Sequence, residues 1–124
     1  MQKKLKIAIF LTASVGAFFS CTKDNAASQN ANTSCNTENM SFSKDIQPIV
    51  SANCTASCHN AANPTGNRIF TSYSGVANAV DNGKLIGVIS HSPGYTPMPQ
   101  GGAKLSDCNI SKIKAWVDQG ALDN

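Results

Sequence analysis

The chain has 124 residues, of which 41% are hydrophobic and 14% charged, with five cysteines and a formal net charge of +3. This length predicts one domain and excludes a large enzyme with its own cofactor domain. Charged residues are scarce, since about 25% is usual in soluble proteins, and there are only five Phe, two Tyr and one Trp. So few large side chains make a thin core. Covalent bonds made by the cysteines are therefore expected to add stability. Because the number of cysteines is odd, not all of them pair with each other.

Residues 1–20 have the pattern of a secretory signal. Three lysines within the first six residues precede the uncharged apolar run 7–19, as is typical of exported proteins. The run is shorter than the roughly 20 residues that a membrane-spanning helix needs. Cys21 follows almost directly and resembles the acylated cysteine of bacterial lipoproteins, with plain cleavage as the alternative. We expect an exported lipoprotein that is anchored through Cys21 in the periplasm, and the absence of Asp after this cysteine favours the outer membrane.

Removal of the signal changes the charge balance. It leaves seven basic and seven acidic side chains, so the side-chain charge is zero and nucleic-acid binding has no support. The segment 21–34 is composed, after its cysteine, of small polar residues, alanine and one charge pair, which predicts a flexible linker. The folded domain is therefore expected to span residues 35–124.

Apolar residues recur at helical spacing in three segments of this domain. The first predicted helix is Asp45–Asn53, which ends at Cys54; Ser43 or Asp45 can cap it, and Asp45 fits better because Pro48 then falls in the first turn. The other predicted helices are residues 72–82 and Ser106–Gln119, with Gly120 as the stop of the last. The segment 85–89 is apolar but too short to assign, and three prolines and three glycines exclude regular structure from residues 93–102. Because no convincing strand or repeat is present, the predicted fold class is all-α.

The segment Cys54-Thr-Ala-Ser-Cys58-His59 carries most of the chemical information. Two thiols followed at once by an imidazole form the pattern of c-type haem attachment. The thiols add to the two haem vinyl groups, and the imidazole of His59 coordinates the iron. Two residues usually separate the cysteines, whereas three do so here, so the extra residue must bulge. The segment predicts one covalently bound haem c.

A haem that only transfers electrons needs a second axial ligand. Met98 is the first candidate, because a methionine between Pro97 and Pro99 fits a presented ligand better than a core residue. His91 is the alternative, and it would give a bis-histidine haem of lower reduction potential. An open distal position, as in a haem sensor or haem enzyme, is the third possibility.

The residues 42–49 before the cysteine pair, Met98 in its proline-bounded loop and the final segment 105–121 together resemble a small class I cytochrome c. They are most similar to the short lipoprotein-type cytochrome c domains of Bacteroidetes and planctomycetes. The resemblance covers about residues 35–124. It implies a small helical fold in which the first and last helices cross beside the haem.

The resemblance also implies roles for residues around the haem. Trp116 matches the family's aromatic residue on the last helix and is expected to pack against the haem edge and the helix crossing. Ile46, Tyr95 and Pro97 are expected to pack against the haem as well. Cys35 precedes the first helix and Cys108 begins the last, so a crossing would bring them together in an oxidising compartment. A Cys35–Cys108 disulfide is expected, with two free thiols as the alternative.

The function that the resemblance implies is a membrane-tethered monohaem cytochrome that passes single electrons between redox proteins and is not an enzyme. Five lysines are candidates for the partner surface, with plainly solvated side chains as the alternative: Lys44, Lys84, Lys104, Lys112 and Lys114. A zinc-binding structural lipoprotein is a further alternative, with ligands Cys54, Cys58, His59 and Cys108. Adjacent Cys58 and His59 fit one tetrahedral ion poorly.

Overall fold

The computed structural model describes residues 35–124, which belong to one compact unit, Thr33–Asn124. The predicted signal, the acylation site at Cys21 and the linker lie outside the described residues. The described part contains four helices and no strand: α1 (residues 42–55), α2 (Tyr73–Asp81), α3 (Leu85–Ile89) and α4 (Asp107–Asp118). A 3-10 turn at Thr65–Asn67 and an isolated bridge between His59 and Pro64 complete it. The predicted helical class is confirmed for residues 35–124, where no helix is long and apolar enough to cross a membrane.

The start of α1 differs from the prediction. The helix begins at Phe42, because Ser41 is its cap and accepts from the amide of Lys44 through its Oγ at 3.3 Å. The Ser41 amide in turn donates to Asp45 Oδ2 at 3.0 Å. The Ser41 side chain thus binds an amide in the first turn, and the Asp45 side chain binds the amide of Ser41 in return, as in a capping box. Asp45 supports the cap from inside the helix, and the prediction that Asp45 is itself the cap was wrong.

Helix α1 changes width along its length. A π-helical turn at Phe42–Ile46 leads into an α-helical turn at Gln47–Val50, and a second π-helical turn at Ser51–Thr55 ends the helix. Pro48 has no N–H and its ring crowds the carbonyl of the preceding turn. The π-helical turn before Pro48 accommodates both the missing N–H and the ring, because it contains one residue more than an α-helical turn. Cys54 lies in the second wide turn, so the helix reaches the first thiol as predicted.

The other helices begin and end close to their predicted positions. Ser72 precedes α2, and Gly83, at φ 66°, follows its end in the left-handed conformation that glycine favours. The Ser106 Oγ caps α4 by accepting from the amide of Asn109 at 3.2 Å. Gly120, at φ 98°, follows the end of α4. The ambiguous apolar run at residues 85–89 forms the single helical segment α3.

The core is formed where α4 packs against the first turn of α1, with α2 and α3 closing it from the side. The indole of Trp116 is 1% exposed, lies 5.6 Å from the ring of Phe42 between centroids, and meets the ring of Tyr73 edge-on. Its Nε1 donates to the carbonyl of Leu122 at 2.9 Å, so the indole's polar atom is satisfied inside the core. The buried apolar residues are Met40, Phe42, Ile46, Val50, Val76, Ala79, Leu85, Ile89, Leu105, Ile113 and Trp116.

The segment before α1 is fastened to α4. Cys35 and Cys108 form a disulfide with an S–S distance of 2.05 Å, the pairing that the family resemblance implied. The side-chain amide of Gln119 accepts from the amide of Met40 at 2.8 Å and donates to the carbonyl of Thr37 at 3.0 Å. One covalent link and two hydrogen bonds therefore hold residues 35–40 on the last helix.

Candidate functional site

The cysteine–histidine segment forms one wide turn at the end of α1. The amide of His59 donates to the carbonyl of Cys54, five residues earlier, at 3.0 Å. With only two residues between the cysteines, the same bond would join residues four apart, as in an α-helical turn. The turn therefore accommodates the additional residue by a hydrogen bond between residues five apart, which is the spacing of a π-helix. This is the bulge that the three-residue spacing predicted.

Two asparagines stabilise this turn from outside. The side-chain amide of Asn60 donates to the carbonyl of Thr55, and that of Asn63 donates to the carbonyl of Ser57, each at 2.8 Å. Both carbonyls lie where α1 has ended and helical donors are missing. The sequence identified these asparagines only as loop residues, because nothing local shows which carbonyls their side chains reach.

His59 is buried and held in one orientation. Its side chain is 7% exposed, its Nδ1 lies 3.3 Å from the carbonyl oxygen of Arg68, and its ring lies 4.6 Å from that of Phe70 between centroids. A carbonyl can only accept, so Nδ1 carries the hydrogen and Nε2 of the neutral ring has a free lone pair. Among residues 35–124, Nε2 has no hydrogen-bond partner. This tautomer is the one that a metal ligand bound through Nε2 requires.

A cavity of about 380 Å³ is bounded by Cys54, Cys58, His59 and Met98 together. This volume is in the range of small-molecule and cofactor sites, about 300–1,000 Å³. The apolar part of the wall comes from α2, α3 and the loops around them: Phe70, Ala79, Leu85, Val88, Ile89, Tyr95, Pro99 and Leu105. Met98 lies 39 residues after His59 in the chain. The fold therefore brings all four residues that the sequence singled out to one cavity.

The loop that carries Met98 is attached to the end of α3. The amide of Met98 donates to the carbonyl of Val88 at 2.9 Å, and its carbonyl oxygen lies 3.1 Å from Nε2 of His91. Met98 is half-buried, whereas His91 is not among the residues that line the cavity. Both polar groups of the Met98 main chain are therefore occupied, and Met98 is one of the residues that line the cavity.

The charged residues of the cavity wall are Arg68 and Lys84, and no acidic residue lines it. The wall is therefore suited to an apolar body that carries anionic groups. Burial and, to a smaller extent, the neighbouring Cys58 together raise the pKa of the Cys54 thiol from 9.0 to about 11. The thiol of Cys54 is therefore protonated at neutral pH, whereas the side chain of Cys58 is exposed.

The remaining predicted site residues lie in different places. Tyr95 lines the cavity, and its ring packs over Gly87, where a Cβ would lie 2.6 Å from the ring atoms. Ile46 and Trp116 are core residues that are not in the cavity wall, and Pro97 is also outside it. The sequence did not show which of these residues line the cavity, since the apolar residues of a helix face have the same spacing whether they meet a cavity or another helix.

The structure also bears on the zinc alternative. Cys108 is joined to Cys35, so its sulfur is not a thiolate ligand. Among residues 35–124, no three side chains of His, Cys, Asp or Glu are grouped so that they could hold a metal ion. The ligand set named for zinc is therefore not assembled.

Comparisons with protein-family models, with curated proteins and with solved structures found no match to this chain. The site is therefore interpreted from its own residues.

Proposed function

We propose that the protein is a monohaem c-type cytochrome that carries single electrons between redox proteins. One observation carries the proposal: a cavity of about 380 Å³ is bounded at once by both thiols of the attachment motif, by the imidazole that follows them and by Met98. The first three are adjacent in sequence, but Met98 is not. Chance placement of a loop thioether at the same cavity is a weaker explanation than ligation of one iron from two sides.

The residues present fit the group. A haem c bound here supplies an iron that alternates between the ferric and ferrous states. The thiols of Cys54 and Cys58 would hold the haem covalently, each through one thioether bond to a vinyl carbon. His59, through the free lone pair on its Nε2, and Met98, through its thioether, would bind the iron, and this combination of ligands raises the reduction potential.

The rest of the cavity wall has separate tasks. The apolar side chains from α2 and α3 exclude water from the iron, which favours the less charged ferrous centre and limits rearrangement during electron transfer. Arg68 and Lys84 supply positive charge for the anionic propionates. Because no pair of acid and base groups lines the wall, the proposal is an electron carrier and not a peroxidase-type enzyme.

The proposed location is the periplasmic side of a membrane, with Cys21 as the lipid anchor and the linker 21–34 as a tether. The disulfide between Cys35 and Cys108 supports export, because such bonds persist in oxidising compartments. Redox proteins are the proposed partners. The candidates for contacting them are Lys44, Lys84, Lys104, Lys112 and Lys114.

The test is a pyridine haemochrome spectrum of protein made together with c-type attachment machinery. We expect one haem per chain with two thioether bonds, one thioether bond in Cys54→Ala or Cys58→Ala, and no covalent haem in the double variant. A colourless protein that contains stoichiometric zinc would overturn the proposal. A spectrum that shows one thioether bond in the unaltered chain would contradict the role of one of the two cysteines.

The axial pair is tested separately. The oxidised protein should show the weak far-red charge-transfer band of a methionine–iron bond, and Met98→Leu should abolish it and allow the reduced protein to bind carbon monoxide. Met40→Leu is the matched control, because Met40 is a core residue, 4% exposed, and the band should persist. Carbon monoxide binding by the unaltered protein would favour an open distal site. A low-spin spectrum without the band that depends on His91 would favour bis-histidine ligation.

A further inference from the structure

The main chain of Met98 is held by two hydrogen bonds that both end on the C-terminal side of α3. Its amide donates to the carbonyl of Val88 at 2.9 Å. Its carbonyl oxygen lies 3.1 Å from Nε2 of His91, and since a carbonyl only accepts, the imidazole donates this bond. With both polar groups occupied, the Met98 peptide is restrained in position and in rotation.

The backbone at His91 directs the imidazole to this carbonyl. His91 has φ 54°, in the left-handed region that non-glycine residues rarely adopt. The adjacent amides are bonded back to α3, from His91 to the carbonyl of Val88 at 3.3 Å and from Ser92 to that of Gly87 at 3.0 Å. The chain thus reverses immediately after the helix, and the ring points back toward residue 98. A strained residue that these contacts hold in place is a common device at functional sites.

We infer that His91 is a positioning residue for Met98: its imidazole holds the Met98 peptide so that the thioether faces the cavity that Cys54, Cys58 and His59 also line. The inference rests on the proposed function, since it assigns His91 a task in ligation by Met98. The two prolines beside Met98 restrict φ at positions 97 and 99. They leave the loop as a whole free to move away from α3, and the imidazole bond restrains that movement.

The expected size of the effect follows from a single neutral hydrogen bond at a half-buried site. Such a bond contributes about 1 kcal/mol, which corresponds to roughly a fivefold change in an equilibrium constant. Removing it should therefore make displacement of Met98 by an external ligand roughly five times easier. The change should leave the helices and the haem attachment as they are.

The experiment compares His91→Gln with His91→Asn in the haem-loaded protein. A glutamine amide nitrogen occupies the position of Nε2 and can donate the same bond. An asparagine is too short to reach the carbonyl, although it tolerates the left-handed backbone better than glutamine does. The measurements are haem content, the far-red charge-transfer band and the dissociation constant of imidazole for the ferric protein, with His91→Ala as a third variant.

We expect full haem content in all variants, roughly fivefold tighter imidazole binding and a weaker band in His91→Asn and His91→Ala, and near-native values in His91→Gln. Equal imidazole affinities in the Asn and Gln variants at full haem content would overturn this inference alone. Loss of the low-spin spectrum in all three variants would overturn this inference and indicate that His91 itself binds the iron. Absence of haem from the unaltered protein would overturn the proposed function together with this inference.

Discussion

The disulfide between Cys35 and Cys108 should supply a large part of the stability of this domain. The two residues are 73 apart in sequence, so their link removes the freedom of a long loop from the unfolded chain. The chain-entropy relation gives about 4 kcal/mol for a loop of this length at 25 °C. A domain of this size unfolds at a cost of roughly 5–13 kcal/mol. The link therefore contributes a third of the total or more.

The perturbation is the double variant Cys35→Ser/Cys108→Ser. Its folded state should change little, because the Gln119 side chain still binds the segment at Thr37 and Met40. The effect should therefore appear through the unfolded state, as a loss of about 4 kcal/mol in the free energy of unfolding. The melting temperature should fall by about 15–30 °C, since 1 kcal/mol corresponds to about 4–8 °C in a domain of this size.

The assay is urea unfolding followed by far-ultraviolet circular dichroism, with the unaltered and variant proteins at equal haem content. With the iron ferrous in every sample, a thiol reductant that breaks the disulfide should lower the stability of the unaltered protein to that of the double variant and leave the variant unchanged. Cys35→Ala/Cys108→Ala is the matched control, because it separates the cross-link from the hydroxyl groups of serine. A loss below about 1 kcal/mol, or alkylation of Cys35 and Cys108 in the native protein, would refute the reasoning.

Three other outcomes are expected. Trp116→Ala should lower the free energy of unfolding by about 3–5 kcal/mol in urea titrations, because the indole is 1% exposed in the core; a loss below about 1 kcal/mol would contradict this packing. Gly75→Ala should cost about 1–3 kcal/mol in thermal melts, since its Cβ would meet the rigid backbone carbonyl oxygen of Ile69, and a neutral result would refute the contact. In the haem-free protein, alkylation of Cys54 should lag behind that of exposed Cys58 at pH 8 and accelerate toward pH 11, because burial raises the pKa of Cys54 to about 11. Equal alkylation rates of the two thiols at pH 8 would be inconsistent with the burial of Cys54. Because the pKa of Cys54 is raised from 9.0 on folding, the contribution of this thiol to the free energy of unfolding is present below pH 9 and declines as the pH rises to 11.

Local patterns predicted most of the helices. The apolar spacing and the flanking Ser106 and Gly120 specified α4, because a cap and a left-handed stop act within one turn of the helix. The same local logic failed at α1. Ser41 and Asp45 are both capping types, and only the reciprocal pair of bonds between them decides that the helix starts at residue 42.

The site divides in the same way. Cys54, Cys58 and His59 are adjacent, so their chemistry is visible in the sequence, and the prolines around Met98 made it a candidate ligand. Their meeting at one cavity depends on how α2 and α3 pack, which is a non-local property. The role of Arg68 is likewise hidden from the sequence, since its carbonyl and not its side chain orients His59.

The sequence by itself determined the helical class of the described domain and the irregular segment 93–102, and it singled out the residues that we propose hold a haem. Tertiary structure alone decided that Cys35 reaches Cys108, that Met98 lines the same cavity as the cysteine–histidine segment and that His91 donates to the Met98 carbonyl. The physical reason is the different distance along the chain over which these interactions act. Helical periodicity and capping act over a few residues, whereas a cavity and the bonds that hold its loops arise only when distant segments pack together.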